Sequence, residues 1–172
     1  MKKHKKHNEL FNWIWILSII TIGNLLGQET IWSENFESNW WVDWHVDAGT
    51  WEVGMPTSGP DTTYSGINCA ATVLDGNYTE PVNTRLIRHT SFTVPPASEN
   101  PRLRFWHWFS FSSADNGEVQ IKIGDGDWET ISVSYYYTGS NAWTYTSIDL
   151  SNYEGASVQI AFDFHSAQDG IS

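Results

Sequence analysis

Two tryptophans, Trp106 and Trp108, have the type and spacing that most directly suggest a binding role. They lie in the run 102–111, in which two sets of residues alternate. One set is Leu103, Phe105, His107, Phe109 and Phe111, and the other is Arg104, Trp106, Trp108 and Ser110. Alternate residues of a strand share one face, so the two rings would stand about 7 Å apart along the strand. Exposed rings at that spacing stack against the apolar faces of sugars, with nearby polar groups fixing the orientation. The sequence therefore predicts a candidate ligand site at Trp106 and Trp108, extended by Tyr136 and Trp143.

A second interpretation of the same rings stays open. The stretch 51–66 is rich in Gly and Pro and is predicted to be a long ordered loop. If this loop folds over the face of Trp106 and Trp108, both rings belong to the protein core. Tryptophan side chains are more often buried than displayed.

Two acidic side chains in the N-terminal part of the chain are candidate ligands of a metal ion. Glu34 and Glu37 lie close together in sequence. Calcium takes six to eight oxygen ligands, many of them backbone carbonyls that no sequence reveals. The predicted cofactor, where there is one, is calcium bound at Glu34 or Glu37, and the alternative is that both carboxylates are simply solvated.

The chemical inventory argues against an enzyme. The sequence contains no His-Glu-x-x-His zinc motif, no Gly-x-Ser-x-Gly nucleophile elbow and no phosphate-binding Gly-rich loop. The histidines after residue 28 are scattered without metal-ligand spacing. His107 alternates with apolar residues, which predicts a hydrogen-bonded core histidine. Nothing fixes the separation of Asp115 and Glu118, as glycoside hydrolysis would require. We expect no catalysis.

The elements that must position these residues are strands. After residue 28, short apolar runs alternate with clusters of Gly, Asn, Asp, Ser and Pro, and no amphipathic helix is visible. This pattern predicts an all-β fold, a two-sheet antiparallel β-sandwich of the jelly-roll, concanavalin A-like or galactose-binding-like kind. The predicted strands cover 30–36, 40–54 in irregular form, 68–74, 84–92 with a break near Arg88, 102–111, 118–123, 128–137, 141–150 and 157–166.

Residues 1–28 have the composition of a secretory signal peptide. Four lysines within residues 2–6 precede the apolar stretch Trp13 to Ile22, and cleavage is predicted near Gln28. The alternative is an uncleaved membrane anchor, but the stretch is short for a span of about 20 residues. The sequence thus predicts a mature domain over 29–172, located outside the cell or on its surface, with no membrane insertion after cleavage.

The net charge restricts the classes of molecule that the chain could bind. The net charge of −11 would repel phosphate backbones, so nucleic-acid binding is not expected. This net charge is compatible with a neutral glycan, an extracellular protein or calcium as the partner.

Cys69 is the single cysteine, so no intrachain disulfide can form, and it is predicted to be a small buried residue. An exported domain without disulfides suggests a bacterial source.

Two motifs resemble a known module. The loop Trp51-Glu-Val-Gly-Met-Pro-Thr-Ser-Gly-Pro60 is followed by Leu74-Asp-Gly-Asn-Tyr78, and the resemblance extends from about residue 30 to the end. The chain resembles the MAM-like jelly-roll module of secreted bacterial proteins, found in immune inhibitor A-type and bacillopeptidase F-type peptidases. It is distantly similar to the cleaved adhesin domains of gingipains. The resemblance implies a non-catalytic accessory domain whose closing strand is missing after Ser172.

Together these observations predict a secreted, non-catalytic β-sandwich module for adhesion or for binding a glycan or protein, accessory to a larger extracellular protein. The alternative is the N-terminal fragment of a secreted peptidase or adhesin, in which this domain is only a structural spacer.

Overall fold

The computed structural model describes residues 14–22, 30–78, 82–136 and 139–167. Within 14–22 it describes the side chains of Leu17 and Ile22 only. Two six-stranded antiparallel sheets pack face to face. The predicted all-β, two-sheet antiparallel sandwich is confirmed, and the helical content of the described residues consists of three short 3-10 turns.

The strands follow one another with short or irregular connections. In chain order they are β1 (Ile14–Ile22), β2 (Trp32–Glu34), β3 (Trp44–Val46), β4 (Glu52–Gly54), β5 (Cys69–Ala71), β6 (Val82–Thr93), β7 (Arg102–Ser110), β8 (Asn116–Ile123), β9 (Trp128–Thr130), β10 (Tyr135–Tyr136), β11 (Thr144–Asp149) and β12 (Ser157–Ser166). The first sheet has the order β11-β7-β1-β5-β4, and β2 also pairs with β1. The second has the order β10-β8-β12-β6-β3, and β9 also pairs with β8.

Strand β1 comes from the segment predicted to be the apolar part of a signal peptide. It lies inside the first sheet, antiparallel to β7, β5 and β2. Leu17 pairs with His107, and both Leu17 and Ile22 are fully buried. In the full-length chain this segment is therefore part of the sandwich. Cleavage near Gln28 and a missing strand after Ser172 stay predictions, and both positions lie outside the described residues.

The core lies between the two sheets and is built by period-two alternation. On β7, Leu103, Phe105, His107 and Phe109 point inward and are buried. From the second sheet, Trp44 stacks on Phe162 with ring centroids 6.2 Å apart. Burying a large apolar side chain contributes roughly 1.5–3 kcal/mol, and aromatic pairs add about 0.5–1.5 kcal/mol. Because the chain has no disulfide, this aromatic interior supplies its stability.

Three predicted strands differ from the observed ones. The irregular run 40–54 contains two strands, β3 in the second sheet and β4 in the first. The other two differ for local reasons. The run 128–137 is divided into β9 and β10, because the hydroxyl of Ser132 accepts the hydrogen bond of the Val119 N–H at 2.9 Å. A side chain thereby interrupts the backbone ladder. The run 84–92 is continuous within β6, and the predicted break appears instead as a register shift opposite Gln159, whose side chain donates to the His89 carbonyl at 2.6 Å.

Candidate functional site

The outer face of the first sheet collects five aromatic residues. We call this the aromatic face; it consists of Tyr64, Trp106, Trp108, Trp143 and Tyr145. Alternation along β7 turns Trp106 outward, and the pairing of β11 with β7 sets Tyr145 beside it, with ring centroids 5.4 Å apart. Three of the four predicted site residues, Trp106, Trp108 and Trp143, therefore lie on one face.

A loop between β4 and β5 covers part of this face. The ring of Tyr64 lies on Trp106, with centroids 3.7 Å apart and planes only 12° from parallel. The indole N–H of Trp143 donates to the Thr62 carbonyl at 3.1 Å, which ties the loop down from the other side. Trp106 is consequently half-buried, and the rings displayed to solvent are Tyr64 (42% exposed) and Tyr145 (44% exposed). The face is aromatic as predicted, but the loop changes which rings a ligand would meet.

Trp108 has a more structural position than Trp106. It packs with Leu74 and Trp143 over Cys69 and Ala71, which are fully buried. Burial, and after it the charge of Glu37, raises the pKa of the Cys69 thiol to about 12. The prediction of a small buried cysteine is confirmed, and the thiol stays protonated at neutral pH.

Tyr136 does not join the aromatic face. It lies in β10, where it pairs with Asn116 of β8 in the second sheet. Its side chain is 64% exposed. Both β9 and β10 pair with β8, and alternation along one sequence cannot reveal that these strands and β7 belong to different sheets.

Arg104 lies on the same side of β7 as Trp106, and no sequence pattern points to it. Its side chain is buried, and its register partners on the neighbouring strands are Thr21 and Ser147. Among the described residues, its Nε and Nη2 atoms have no hydrogen-bond partner. Buried polar groups are nearly always paired, so these two donors, which solvent does not reach, are exceptions to that rule.

The two acidic residues predicted as calcium ligands have other partners. The Glu37 carboxylate accepts hydrogen bonds from the backbone N–H groups of Ile67 (2.6 Å) and Asn68 (2.8 Å). Glu34 accepts from the N–H groups of Asn35 and Phe36, at 2.9 and 2.7 Å. Carboxylate oxygens that accept hydrogen bonds from N–H groups are poorly placed to bind a cation, so the geometry of Glu34 and Glu37 does not fit a calcium ion. Calcium at Glu34 or Glu37 stays an untested prediction.

The two carboxylates considered as an acid–base pair each accept hydrogen bonds from other groups. Asp115 is buried, accepting from the Tyr78 hydroxyl and from the Ala167 N–H. Glu118 accepts from Thr130 and Ser134, at 2.6 Å each. Within the described part of the chain, no group of three or more His, Cys, Asp and Glu side chains could hold a metal ion. The absence of catalysis stays a prediction.

The outer face of the second sheet is chemically different. Arg85 lies 3.3 Å from Asp47 and 3.1 Å from Asp163, and its Nε donates to Gln120 at 2.9 Å. Burial raises the pKa of Asp163, an effect that the charge of Arg85 opposes. The second sheet therefore carries an ion-paired polar network in addition to the exposed Tyr136.

A cavity of about 650 Å³ opens between the edges of the two sheets. One wall is β11, and the other is formed by residues 131–133, which follow β9, and by Tyr135 of β10. The apolar and aromatic part of the lining consists of His107, Phe109, Ile131, Val133, Tyr135 and Ile148. A sequence cannot reveal this cavity, because its walls come from strands of different sheets.

His107 forms part of the cavity floor. Its ring packs against Tyr135, with centroids 4.9 Å apart, and its Nδ1 lies 3.5 Å from the Thr146 hydroxyl. Burial lowers the pKa of His107 to about 4. The imidazole is therefore neutral at physiological pH, in agreement with the predicted core histidine.

Comparison with known proteins places the chain beside part of a much larger protein. It is 34% identical to Bacillopeptidase F of Bacillus subtilis over 127 residues, which is 70% of this chain but 8% of that protein. No family model and no solved structure matches. This similarity supports the predicted resemblance to a segment of a secreted peptidase. The MAM-like assignment stays a prediction.

No helix within the described residues is long and apolar enough to cross a membrane.

Proposed function

We propose that this chain is a non-catalytic binding module of a larger extracellular protein, and that its aromatic face binds a neutral glycan. The observation that carries the proposal is the pair of exposed rings, Tyr64 and Tyr145, which both contact Trp106. Sugars present C–H groups to such rings, and their hydroxyl oxygens accept hydrogen bonds from nearby donors.

Electrostatics favours an uncharged ligand. The chain has a net charge of −11, which disfavours approach of strongly anionic polymers. Stacking on aromatic rings requires no charge on the ligand. A neutral polysaccharide of a cell wall or extracellular matrix is therefore the class of ligand that the aromatic face suits.

A second candidate function is a structural spacer without a ligand of its own. The stacking of Tyr64 on Trp106 favours it, because a ring pair at 3.7 Å also serves to hold a loop in place. The similarity to 8% of Bacillopeptidase F is compatible with either function.

Binding of the full chain to immobilised neutral polysaccharides separates the two candidates. We expect retention of the native protein and a dissociation constant at least about tenfold higher for the double variant Tyr64→Ala plus Tyr145→Ala, because each lost stacking contact costs about 1 kcal/mol.

The matched control is Tyr136→Ala, which removes a more exposed tyrosine from the second sheet. It should bind like the native chain. Absence of binding across cellulose, chitin, xylan and β-1,3-glucan would leave the spacer function, and equal loss in the double variant and the control would show that the aromatic face is not the site.

A further inference from the structure

The edges of the two sheets are unequal in length. Strands β2, β3, β4 and β9 have three residues each and β10 has two, whereas β11 has six. Among the described residues, β11 pairs with β7 alone. Native proteins usually shorten their edge strands, because unpaired backbone N–H and C=O groups accept another strand. Strand β11 is the described edge that does not follow this rule.

The sequence of β11 also lacks the usual protection against strand addition. It reads Thr-Tyr-Thr-Ser-Ile-Asp, without Lys, Pro or Gly. Its one charged residue, Asp149, is at the end of the strand and lies 3.2 Å from Arg102. Lysine or proline on an edge normally discourages a further strand. Apart from Asp149 at its end, nothing in the composition of β11 does so.

The cavity described above lies directly beside this edge. Thr144, Thr146 and Ile148 of β11 line it, as do Val133 and Tyr135 on the opposite wall. An edge strand supplies backbone hydrogen bonds, and an adjacent apolar cavity accepts an alternate side chain of the added strand. The two features together form the two halves of a strand-addition site.

We propose that β11 and its cavity bind an extended peptide segment of another protein, which adds a seventh strand to the first sheet. The segment is uncharged or basic, and it places one bulky apolar side chain, such as Leu, Ile or Phe, against Val133 and Phe109. Its chemistry follows from the net charge of −11, which also disfavours a second copy of this chain as the occupant.

The test is selection of a random heptapeptide library displayed on phage against the full 172-residue chain, followed by binding measurements with a synthetic selected peptide. We expect enriched sequences with alternating residues and one bulky apolar side chain. Hydrogen exchange of the β11 amides should slow about tenfold on binding, because the added strand pairs with the edge.

The key variant is Val133→Asp, which puts a charge on the cavity wall at a side chain that is 74% exposed and so tolerates substitution. Peptide affinity should fall at least about tenfold. The control Ile123→Asp changes an aliphatic residue that is 50% exposed and does not line the cavity, and it should bind normally.

Several results would overturn the proposal: no enrichment of peptides, binding without protection of β11, or equal affinity of both variants. Concentration-dependent dimerisation with protection of β11 would also overturn it, since the occupant would then be a second copy. Polysaccharide binding by the same preparations is an independent readout, so failure here leaves the glycan proposal standing.

Discussion

The two sides of strand β7 carry similar rings but have different surroundings. Its inner side, with Phe105 and His107, faces the second sheet, and both residues are buried. Its outer side, with Trp106 and Trp108, meets a loop that leaves parts of the aromatic face open to solvent. The number of aromatic residues on a strand face therefore does not decide whether a ring belongs to the core or is accessible to a ligand. The element that packs against the ring decides it.

The largest expected effect comes from the inner side and depends on pH. The pKa of His107 falls from 6.5 to about 4 in the folded chain because of burial. As pH falls through this window, the unfolded chain takes up a proton that the folded chain does not. Stability present above pH 6.5 should therefore be lost towards pH 4, by roughly 3 kcal/mol.

Urea unfolding at a series of pH values measures this loss. His107→Gln should flatten the part of the profile between pH 6.5 and 4, whatever its effect on stability at pH 7. An unchanged pH slope in this variant would mean that the inner side of β7 is more hydrated than its burial implies.

The next effect concerns the outer side of the same strand. Trp106→Ala removes ring contacts with Tyr64 and Tyr145, and we expect about 2 kcal/mol of destabilisation, less than for a fully buried ring. Chemical denaturation checks it, with Trp41→Ala, 61% exposed, as a control that should change stability by under about 0.5 kcal/mol. Equal effects of the two substitutions would contradict the stacking of Tyr64 on Trp106.

The loop that covers the outer side depends on Glu37. Glu37→Ala removes the acceptor of two backbone N–H groups and should cost about 1 kcal/mol. Because Tyr64 then loses its support, quenching of tryptophan fluorescence by acrylamide should increase. The exposed Glu99→Ala is the control, and quenching that stays at the native level in Glu37→Ala would show that the loop holds its place without this carboxylate.

The smallest expected effect on stability is that of a displayed ring. Tyr145→Ala should change the free energy of unfolding by less than about 0.5 kcal/mol, because its side chain is 44% exposed. Thermal unfolding is a sufficient measurement. A loss above 1 kcal/mol would place Tyr145 with the structural rings.

Most of the fold and part of the candidate site could be predicted from the sequence. Alternation in 102–111 and 157–166 predicts both faces of β7 and β12, because period-two patterning needs no knowledge of distant residues. It also brings Trp106 and Trp108 to one face. The displayed position of Tyr64 follows from loop contacts with Glu37 and Trp143, which no local pattern encodes.

Tyr136 and the cavity show where sequence reasoning ends. Assigning Tyr136 to a sheet requires knowing that β10 pairs with β8, in the sheet opposite to that of β7. The cavity needs β11 and the segment 131–135 to face each other across two sheets. Both depend on tertiary pairing, and hydrophobic periodicity specifies the face of a residue but not its neighbour across the sandwich.

The most direct test of the glycan proposal is a titration of the full chain, labelled with ¹⁵N in its tryptophan indoles, with cellohexaose, chitohexaose, xylohexaose and laminarihexaose. Trp143, whose N–H donates to the loop at Thr62, can be assigned with Trp143→Phe, and Trp44 lies in the core. We predict a saturable shift of the Trp143 indole signal with at least one of these sugars, while the Trp44 signal stays in place. No indole shift with any of them, or a Trp44 shift as large as that of Trp143, would contradict glycan binding at the aromatic face.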